Sequence, residues 1–266
     1  VQTLHIKIKF LGEKMNQTIK QLQNRKSIRQ FTGEHVSDED LQTILKTAQR
    51  APSSVNGQQV SLVYTHDKEK IAKIAKLCGG QPQVEHADVF VAIVMDFHRT
   101  SSALESVGKK HVIQESIEGV LVGAVDAGIM LNHLQSAAEA LGYGTTAIGA
   151  VRANPKEIIE LFNLPPKTFV VVGSTIGVPT KEAKEAPLKP RVPFESFAME
   201  DVYDAKKVAQ GALKYDKILK SFREENNTSM LPSYIDSLER FYTNVYFRQN
   251  KKVLEEQGFA FEDKVE

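Results

Sequence analysis

The sequence predicts an α/β or α+β fold, and three observations predict it. Apolar runs of strand length, Val60–Thr65, Val89–Met95 and Phe169–Ile176, alternate with helix-spaced stretches through the first two thirds of the chain. The apolar stretch from Ser116 to Leu141 is far too long for a strand and reads as a helix. After Gly177-Val178-Pro179 the composition changes to a Lys/Pro/Glu arm and then to two fairly polar helical stretches.

In chain order, Asn16–Asn24 reads as a short helix. Ser37-Asp38-Glu39-Asp40 is a helix start, a Ser cap followed by acids that suit the positive end of the helix dipole. Leu41, Ile44, Leu45 and Ala48 then recur at helical spacing, and Pro52 ends that helix near Arg50. Val60–Thr65 is a strand, Lys68–Leu77 a helix, and Val89–Met95 a strand buried on both faces, because its apolar run is nearly unbroken. Ser116–Leu141 is apolar on more than one face, as in a central or interface helix, and Gly142-Tyr143-Gly144 stops it. Thr145–Val151 is strand-like. Asn154-Pro155 opens a helix with Asn as cap and Pro at the first position. Phe169–Ile176 is the last strand, residues 181–193 form an extended arm, and Tyr203–Glu225 and Tyr234–Gln257 are helical. Residues 1–15 are set apart as an N-terminal extension: Val1–Lys14 has no long apolar core and no small-residue cleavage site, and Met15 is a candidate internal start. Residues 16–266 are expected to form one domain, with 181–266 as its arm and helical tail.

Composition narrows the functional classes. A net charge of +1 gives no global argument for nucleic acid or an anionic membrane. The Ile117–Leu141 region is interrupted by Glu118, Asp126, His133, Gln135 and Glu139, which argues for a buried helix over a membrane span. The single cysteine, Cys78, excludes an internal disulfide and fits a reducing, cytoplasmic compartment; it reads as a small buried hydrophobe. There is no G-x-x-x-x-G-K-[ST] loop and no G-x-G-x-x-G after a strand. Gly173-Ser174-Thr175-Ile176-Gly177 is not a nucleophile elbow. The seven histidines lack metal-ligand spacing, so no protein-bound metal is expected, and His133 inside an apolar helix reads as structural.

What remains is cations and amides without an acid–base pair. Arg25-Lys26-Ser27-Ile28-Arg29 sets three cations and a hydroxyl within five residues, the chemistry of a phosphate site. Ala51-Pro52-Ser53-Ser54-Val55-Asn56-Gly57-Gln58 is rich in neutral hydrogen-bonding groups suited to the edge of a heteroaromatic ring. Such a set suits a protein that binds and orients a cofactor which itself carries the chemistry.

These segments resemble the nitroreductase superfamily, in particular its NAD(P)H-dependent nitro/flavin reductases of the oxygen-insensitive type. Arg25-x-Ser27-x-Arg29 is similar to the flavin-binding opening, and Ala51-Pro52-Ser53-Ser54-x-Asn56-x-Gln58 to the loop that reaches the flavin from the other subunit. Gly79-Gly80-Gln81 resembles the segment whose Gln meets the ring, Ala147-Ile148-Gly149-Ala150-x-Arg152 the strand end beside it, and Leu188-Lys189-Pro190-Arg191 the arm that reaches the phosphate. The five segments occur in the family's order.

The resemblance implies an α+β fold: a central, mainly antiparallel sheet flanked by helices, with a C-terminal helical excursion, in a homodimer with shared sites. It implies tightly bound FMN, with Arg25, Lys26, Ser27, Arg29, Lys189 and Arg191 around the phosphate. Ser53, Ser54, Asn56, Gln58 and Gln81, with the backbone of Ala147, Ile148, Gly149 and Ala150, then lie near the ring. NAD(P)H is the implied electron donor, and nitroaromatics, quinones, azo dyes or free flavin the acceptors, used in alternation. Asn56, Arg152 and Arg248 are candidates for nucleotide or substrate contact. In NADPH-specific relatives the loop after the arm carries arginines for the 2′-phosphate. Here Arg223-Glu224-Glu225-Asn226-Asn227-Thr228-Ser229-Met230 holds one arginine beside two glutamates, which oppose a phosphate and suit ribose hydroxyls. The choice between NADH and NADPH stays open, as does the alternative of a non-catalytic FMN-binding redox sensor.

Overall fold

The computed structural model describes residues 16–262; the extension read at 1–15 lies outside them. The chain opens with α1 (Gln17–Gln23) and α2 (Asp38–Ala48), each capped by the side chain the sequence singled out or placed there: Asn16 Oδ1 accepts from Ile19 N–H and Ser37 Oγ from Asp40 N–H. Then come β1 (Val60–Thr65), α3 (Lys68–Leu77), the one-turn α4 (Pro82–Glu85), β2 (Val89–Asp96), α5 (Phe97–Glu105) and the long α6 (Ile117–Ala140). β3 (Gly144–Ile148), α7 (Pro155–Leu161), β4 (Thr168–Gly177) and α8 (Lys181–Glu185) follow, and the chain closes with α9 (Ala205–Glu225), α10 (Tyr234–Tyr242) and α11 (Asn250–Glu256).

The sheet has the order β1-β2-β4-β3 and is antiparallel at each pairing. β2 is buried along almost its whole length, and its side chains divide by parity. Phe90, Ala92 and Val94 enter a core with Ile71 and Ile74 of α3 and Ile158 of α7. Val89, Val91 and Ile93 enter a second core with Leu41 and Ile44 of α2 and Ala127 and Leu134 of α6. This explains the unbroken apolar run: both faces of the strand are covered. A third cluster joins Met95, Phe97 and Phe169 to Val253, Leu254 and Phe259 around α11.

The described residues fall into two compact units, 16–184 with 247–262, and 185–246. In the second unit, Tyr215 of α9 and Tyr234 of α10 meet edge to face at 5.1 Å. Asp216 accepts from Ile235 N–H at 2.9 Å and pairs with Lys220 at 2.9 Å, which locks α10 onto α9.

Five expectations change. The arm read as extended over 181–193 opens with the short helix α8, Lys181–Glu185. The strand read at Thr145–Val151 ends at Ile148, and Gly149–Arg152 is a 3₁₀ turn. Asn154 and Pro155 take the cap and first positions of α7 as read, but the Asn154 side chain makes no cap bond; its amide donates to Leu77 O at 2.6 Å and holds the end of α3. The helix read at Tyr234–Gln257 breaks between Tyr242 and Asn250, where Thr243, Asn244 and Val245 are poor helix formers. Finally, the helix expected to be buried is covered only in part. α6 is long and apolar enough to cross a membrane by length and composition, and 28% of its most apolar window is buried. Ile117, Leu121 and Val125 form an exposed stripe at four-residue spacing.

Candidate active site

The cationic segment lies along the free edge of β3. Ile28 N–H donates to Thr145 O at 2.9 Å, and Thr146 Oγ1 donates to Ile28 O. Further on, Thr32 N–H donates to Val178 O at 2.9 Å and Phe31 bridges to Pro179. Glycines on the strands make this approach feasible: a Cβ on Gly144 would stand 2.6 Å from the Ile28 side chain, and one on Gly177 2.8 Å from the Phe31 ring. Ile28 is buried, and the residues around it, Arg25, Lys26, Ser27 and Arg29, are half-buried or exposed.

Arg25 is fixed before any ligand arrives. Its Nη2 donates to Gln135 Oε1 at 2.9 Å, and its Nε lies 3.5 Å from Glu139 Oε1. Gln135 is 4% exposed and donates in turn to Ser174 Oγ at 3.1 Å; Glu139 also accepts from Thr145 Oγ1 at 2.9 Å. Burial pushes the Glu139 carboxyl up, against the pull of Thr145 and Arg25. Lys26 reaches the other way, to Lys184 O at 2.8 Å at the end of α8.

Beyond β3, Ala147 is exposed, Ile148 is buried, and Gly149 and Ala150 open the 3₁₀ turn. Arg152 folds back and donates to Val171 O of β4, a use that ties the turn to the sheet. The Asn154–Leu77 bond draws the following loop to this turn. In that loop Gly79 and Gly80 take left-handed conformations (φ +80° and +70°), and Gln81 stands half-buried, its Oε1 accepting from Gln83 Nε2 at 2.6 Å.

The Ser53–Gln58 loop is anchored elsewhere. Its Ser54 N–H donates to Asp126 on α6 at 3.1 Å, and the next residue after the loop, Gln59, donates its amide to the same carboxylate at 2.6 Å. Ser53 Oγ accepts from Gln58 N–H at 3.0 Å. Ser53 and Ser54 are half-buried, whereas Val55, Asn56 and Gln58 are exposed. Ser54, Val55 and Gly57 also form one wall of an apolar hollow of about 570 Å³, completed by groups such as Phe97, Leu104 and Val112.

Asp126 and Gln135 are nine residues apart on α6. That spacing separates them by about 13.5 Å along the helix and about 180° around it. The cationic segment and the amide-rich loop are therefore pinned to opposite faces of one helix, some distance along it.

In the second unit, Lys189 and Arg191 are exposed, and Pro190 between them accepts from Tyr215 OH at 3.1 Å, which ties the arm to α9. Arg191 curls toward its own arm, its Nη1 donating to Lys189 O at 3.3 Å. Arg248, exposed in the first unit, sits in the turn before α11 and not on a helix face.

Among the described residues, folding also gathers His35, His66 and Asp88, whose ligand-type atoms lie within 4.8 Å of one another. Their positions in sequence conceal this from a search for metal-ligand spacing. Asp88 already accepts from Val36 N–H and Lys68 Nζ, each at 2.8 Å, and lies 3.0 Å from His35 Nδ1. Burial raises its carboxyl, but these bonds outweigh burial and hold it below the usual range. The cluster is thus a hydrogen-bonded clasp on the chain entering α2. Cys78 is 1% exposed, and burial alone pushes its thiol up to about 12, so it is an inert core group, as read from the sequence. His133 Nδ1 lies 3.1 Å from Ile129 O within its own helix.

The chain matches the nitroreductase family model over residues 22–178 and the model of that family's C-terminal domain over residues 189–262. It belongs to the nitroreductase family. It is 40% identical over 251 residues to the FMN reductase [NAD(P)H] of Bacillus subtilis (strain 168), covering 93% of this chain and all of the relative. It is 34% identical over 189 residues to the NADPH-flavin oxidoreductase of Vibrio harveyi, covering 71% of this chain and 75% of that one. Among solved structures, the hypothetical oxidoreductase YcnD from Bacillus subtilis superposes with a TM-score of 0.89 at 40% identity, covering 94% of this chain and all of the other. The Vibrio harveyi NADPH:FMN oxidoreductase complexed with NAD⁺ gives 0.81 at 28% identity, covering 92% and 99%.

Four partners of the site in this nitroreductase-family chain were not among the residues expected from sequence: buried Asp126, Gln135 and Ser174, and half-buried Glu139. Three of them are visible in the sequence as polar interruptions of the apolar α6 run, which is the signal that could have found them.

Proposed function

We propose that this protein is an FMN-dependent oxidoreductase that takes hydride from NADH or NADPH and delivers electrons to small-molecule acceptors, working as a homodimer with shared sites. The observation that carries the proposal is the anchoring of the cationic segment and the amide-rich loop on opposite faces of α6. One copy of the chain thus holds two half-sites that face apart, and a second copy related by a two-fold axis supplies each with its complement. The exposed Ile117/Leu121/Val125 stripe and the apolar hollow beside the loop suit such a partner.

The residues present fit FMN. Arg25, Ser27 and Arg29 supply charge and hydrogen bonds for a dianionic phosphate, and Arg25 is pre-oriented by Gln135 and Glu139, which spares it ordering entropy on binding. Lys26 adds charge nearby, and the resemblance assigns Lys189 and Arg191 to the same phosphate. Ser53, Ser54, Asn56, Gln58 and Gln81 offer amides, hydroxyls and backbone N–H groups to the ring edge, and Ala147–Ala150 offer backbone. When bound, FMN supplies the hydride-accepting chemistry. The chain's own part is to bind, to orient and to exclude water. A cation or N–H donor at the pyrimidine edge favours the negative charge that arrives on reduction. Arg152 donates to Val171 O, so of the nucleotide candidates Asn56, on the exposed part of the loop, is the better placed.

Nitroaromatics, quinones, azo dyes and free flavin are the acceptor classes expected, with donor and acceptor using one pocket in turn. Anaerobic titration of the purified protein with NADH and with NADPH, followed by absorbance, tests the reading. Bleaching of the flavin bands by either nucleotide is the expected result. A colourless preparation that FMN does not reconstitute, or a yellow one that neither nucleotide reduces, overturns it. Light scattering of the holoprotein at monomer mass overturns the shared site.

A further inference from the structure

The Ser53–Gln58 loop holds an unusual backbone. Val55, Asn56 and Gln58 all have positive φ, at 47°, 54° and 52°. Asn tolerates this region, but a β-branched residue there is an outlier that persists only where its surroundings impose it. Val55 is 96% exposed, so nothing above the loop among the described residues imposes it.

The constraint comes from below. Asp126 is 4% exposed, on the largely apolar α6, and accepts from both sides of the loop's base: from Ser54 N–H at 3.1 and 3.3 Å and from the Gln59 amide at 2.6 Å. Gln59 is itself buried, and its Oε1 occupies the space where a Cβ on Gly57 would stand, 2.3 Å away. Gly57 is therefore needed so that the Gln59 amide can lie under the loop. Burial raises the Asp126 carboxyl, with Ser54 pulling against it, so the site tolerates this charge only because the two donors meet it.

We propose that Asp126 is a positioning residue for the flavin site: it fixes the loop in the strained form in which Ser54 and Asn56 present their groups to the ring edge. The proposal rests on the flavin reading above. It assigns a buried acid in the apolar helix to the loop and not to core stability. Asn at 126 keeps one acceptor but turns an NH₂ toward donors. Pro at 54 deletes the N–H on the other side of the same bond. Ser53, in extended conformation (φ −136°, ψ 153°), already has the backbone that a following proline requires.

The test compares the parent, Ser54→Ala, Asp126→Asn, Ser54→Pro and Ser54→Pro combined with Asp126→Asn, each as the reconstituted holoprotein; Ser54→Ala loses the hydroxyl but keeps the N–H that Asp126 accepts, so Ser54→Pro is read against it. FMN affinity is read by flavin fluorescence, and turnover by NADH oxidation with a quinone acceptor. Asp126→Asn against the parent, and Ser54→Pro against Ser54→Ala, are each expected to weaken FMN binding about 10- to 100-fold, the worth of one buried charge-assisted bond. The double variant is expected to be no worse than the poorer single one, because both act on the same Ser54–Asp126 bond. Combining Asp126→Asn with Asn56→Ala should likewise fall short of the sum of the two effects, a non-additivity that a merely structural role would not produce. Additive effects, or a Ser54→Pro protein with the affinity of Ser54→Ala, overturn the proposal. If Asp126→Asn fails to fold, the difference between Ser54→Pro and Ser54→Ala decides alone. A parent that binds no FMN removes the flavin reading and this proposal together, whereas a parent reduced normally beside unaffected variants removes only the role of Asp126.

Discussion

Replacing Gly144 with alanine should unseat the cationic segment without touching any of its charges. The new methyl would stand 2.6–2.8 Å from three side-chain carbons of Ile28, whereas carbon atoms pack comfortably at about 3.5–4.0 Å. Ile28 must then retreat by about 1 Å. It is held to β3 by the Thr145 and Thr146 bonds, so retreat stretches both. Losing them costs about 1–3 kcal/mol together. If the segment holds its place instead, overpacking costs about 1–3 kcal/mol. The alanine returns about 0.4–1 kcal/mol by restricting the unfolded chain. The net is a destabilisation of about 1–2 kcal/mol, read as a shift of the urea midpoint with unchanged slope. Because Arg25, Ser27 and Arg29 ride on Ile28, a 1 Å displacement should also cut turnover by up to about 100-fold. A Gly144→Ala protein that unfolds within about 0.5 kcal/mol of the parent and turns over normally would refute the close-approach argument.

Two further outcomes follow from groups away from the site. Cys78, buried and with its thiol pushed up to about 12, should resist alkylation of the native protein at pH 8 and react fully in urea; rapid native labelling, followed by mass spectrometry, would contradict its place in the core. Asp216 is held at about 2 by the Ile235 N–H and then by Lys220, below its ordinary value, so its contribution is complete above about pH 4 and fades as pH falls through about 2. Amide exchange in α10 should therefore accelerate selectively between pH 4 and pH 2 relative to α9, and Asp216→Asn should show that faster exchange already at neutral pH; equal protection in both proteins would contradict the lock.

The fold was legible wherever local pattern and burial agreed. Val60–Thr65 and Lys68–Leu77 are bounded in the structure as they are in the sequence, because turn-forming or capping residues flank a largely apolar run of strand length and a clear period of 3.6. α5 was not legible: Phe97-His98-Arg99-Thr100-Ser101-Ser102 carries little apolar periodicity, and its helix is started by Asp96 accepting from Arg99 N–H. The end of β3 failed for the opposite reason, since no charged residue or proline interrupts Thr145–Val151 and periodicity alone does not separate a strand from the turn that follows it. For the site, the residue types with ligand chemistry were readable. Their supports were not, because the bonds from Arg25 to Gln135 and from Ser54 to Asp126 join residues 110 and 72 positions apart, and only the packed fold sets which polar group in α6 meets which loop.

The placement of Asp126 and Gln135 on opposite sides of α6 has a genetic consequence. If each subunit lends its loop to its neighbour's flavin, an Arg25→Ala chain and an Asn56→Ala chain are each defective in both sites of their own dimer. Mixed in one dimer, they place both lesions in one site and leave the other wholly intact. Co-expressed with different affinity tags and purified as the hybrid, two crippled proteins should thus recover about half the activity of the parent, while a site contained within one chain would recover none.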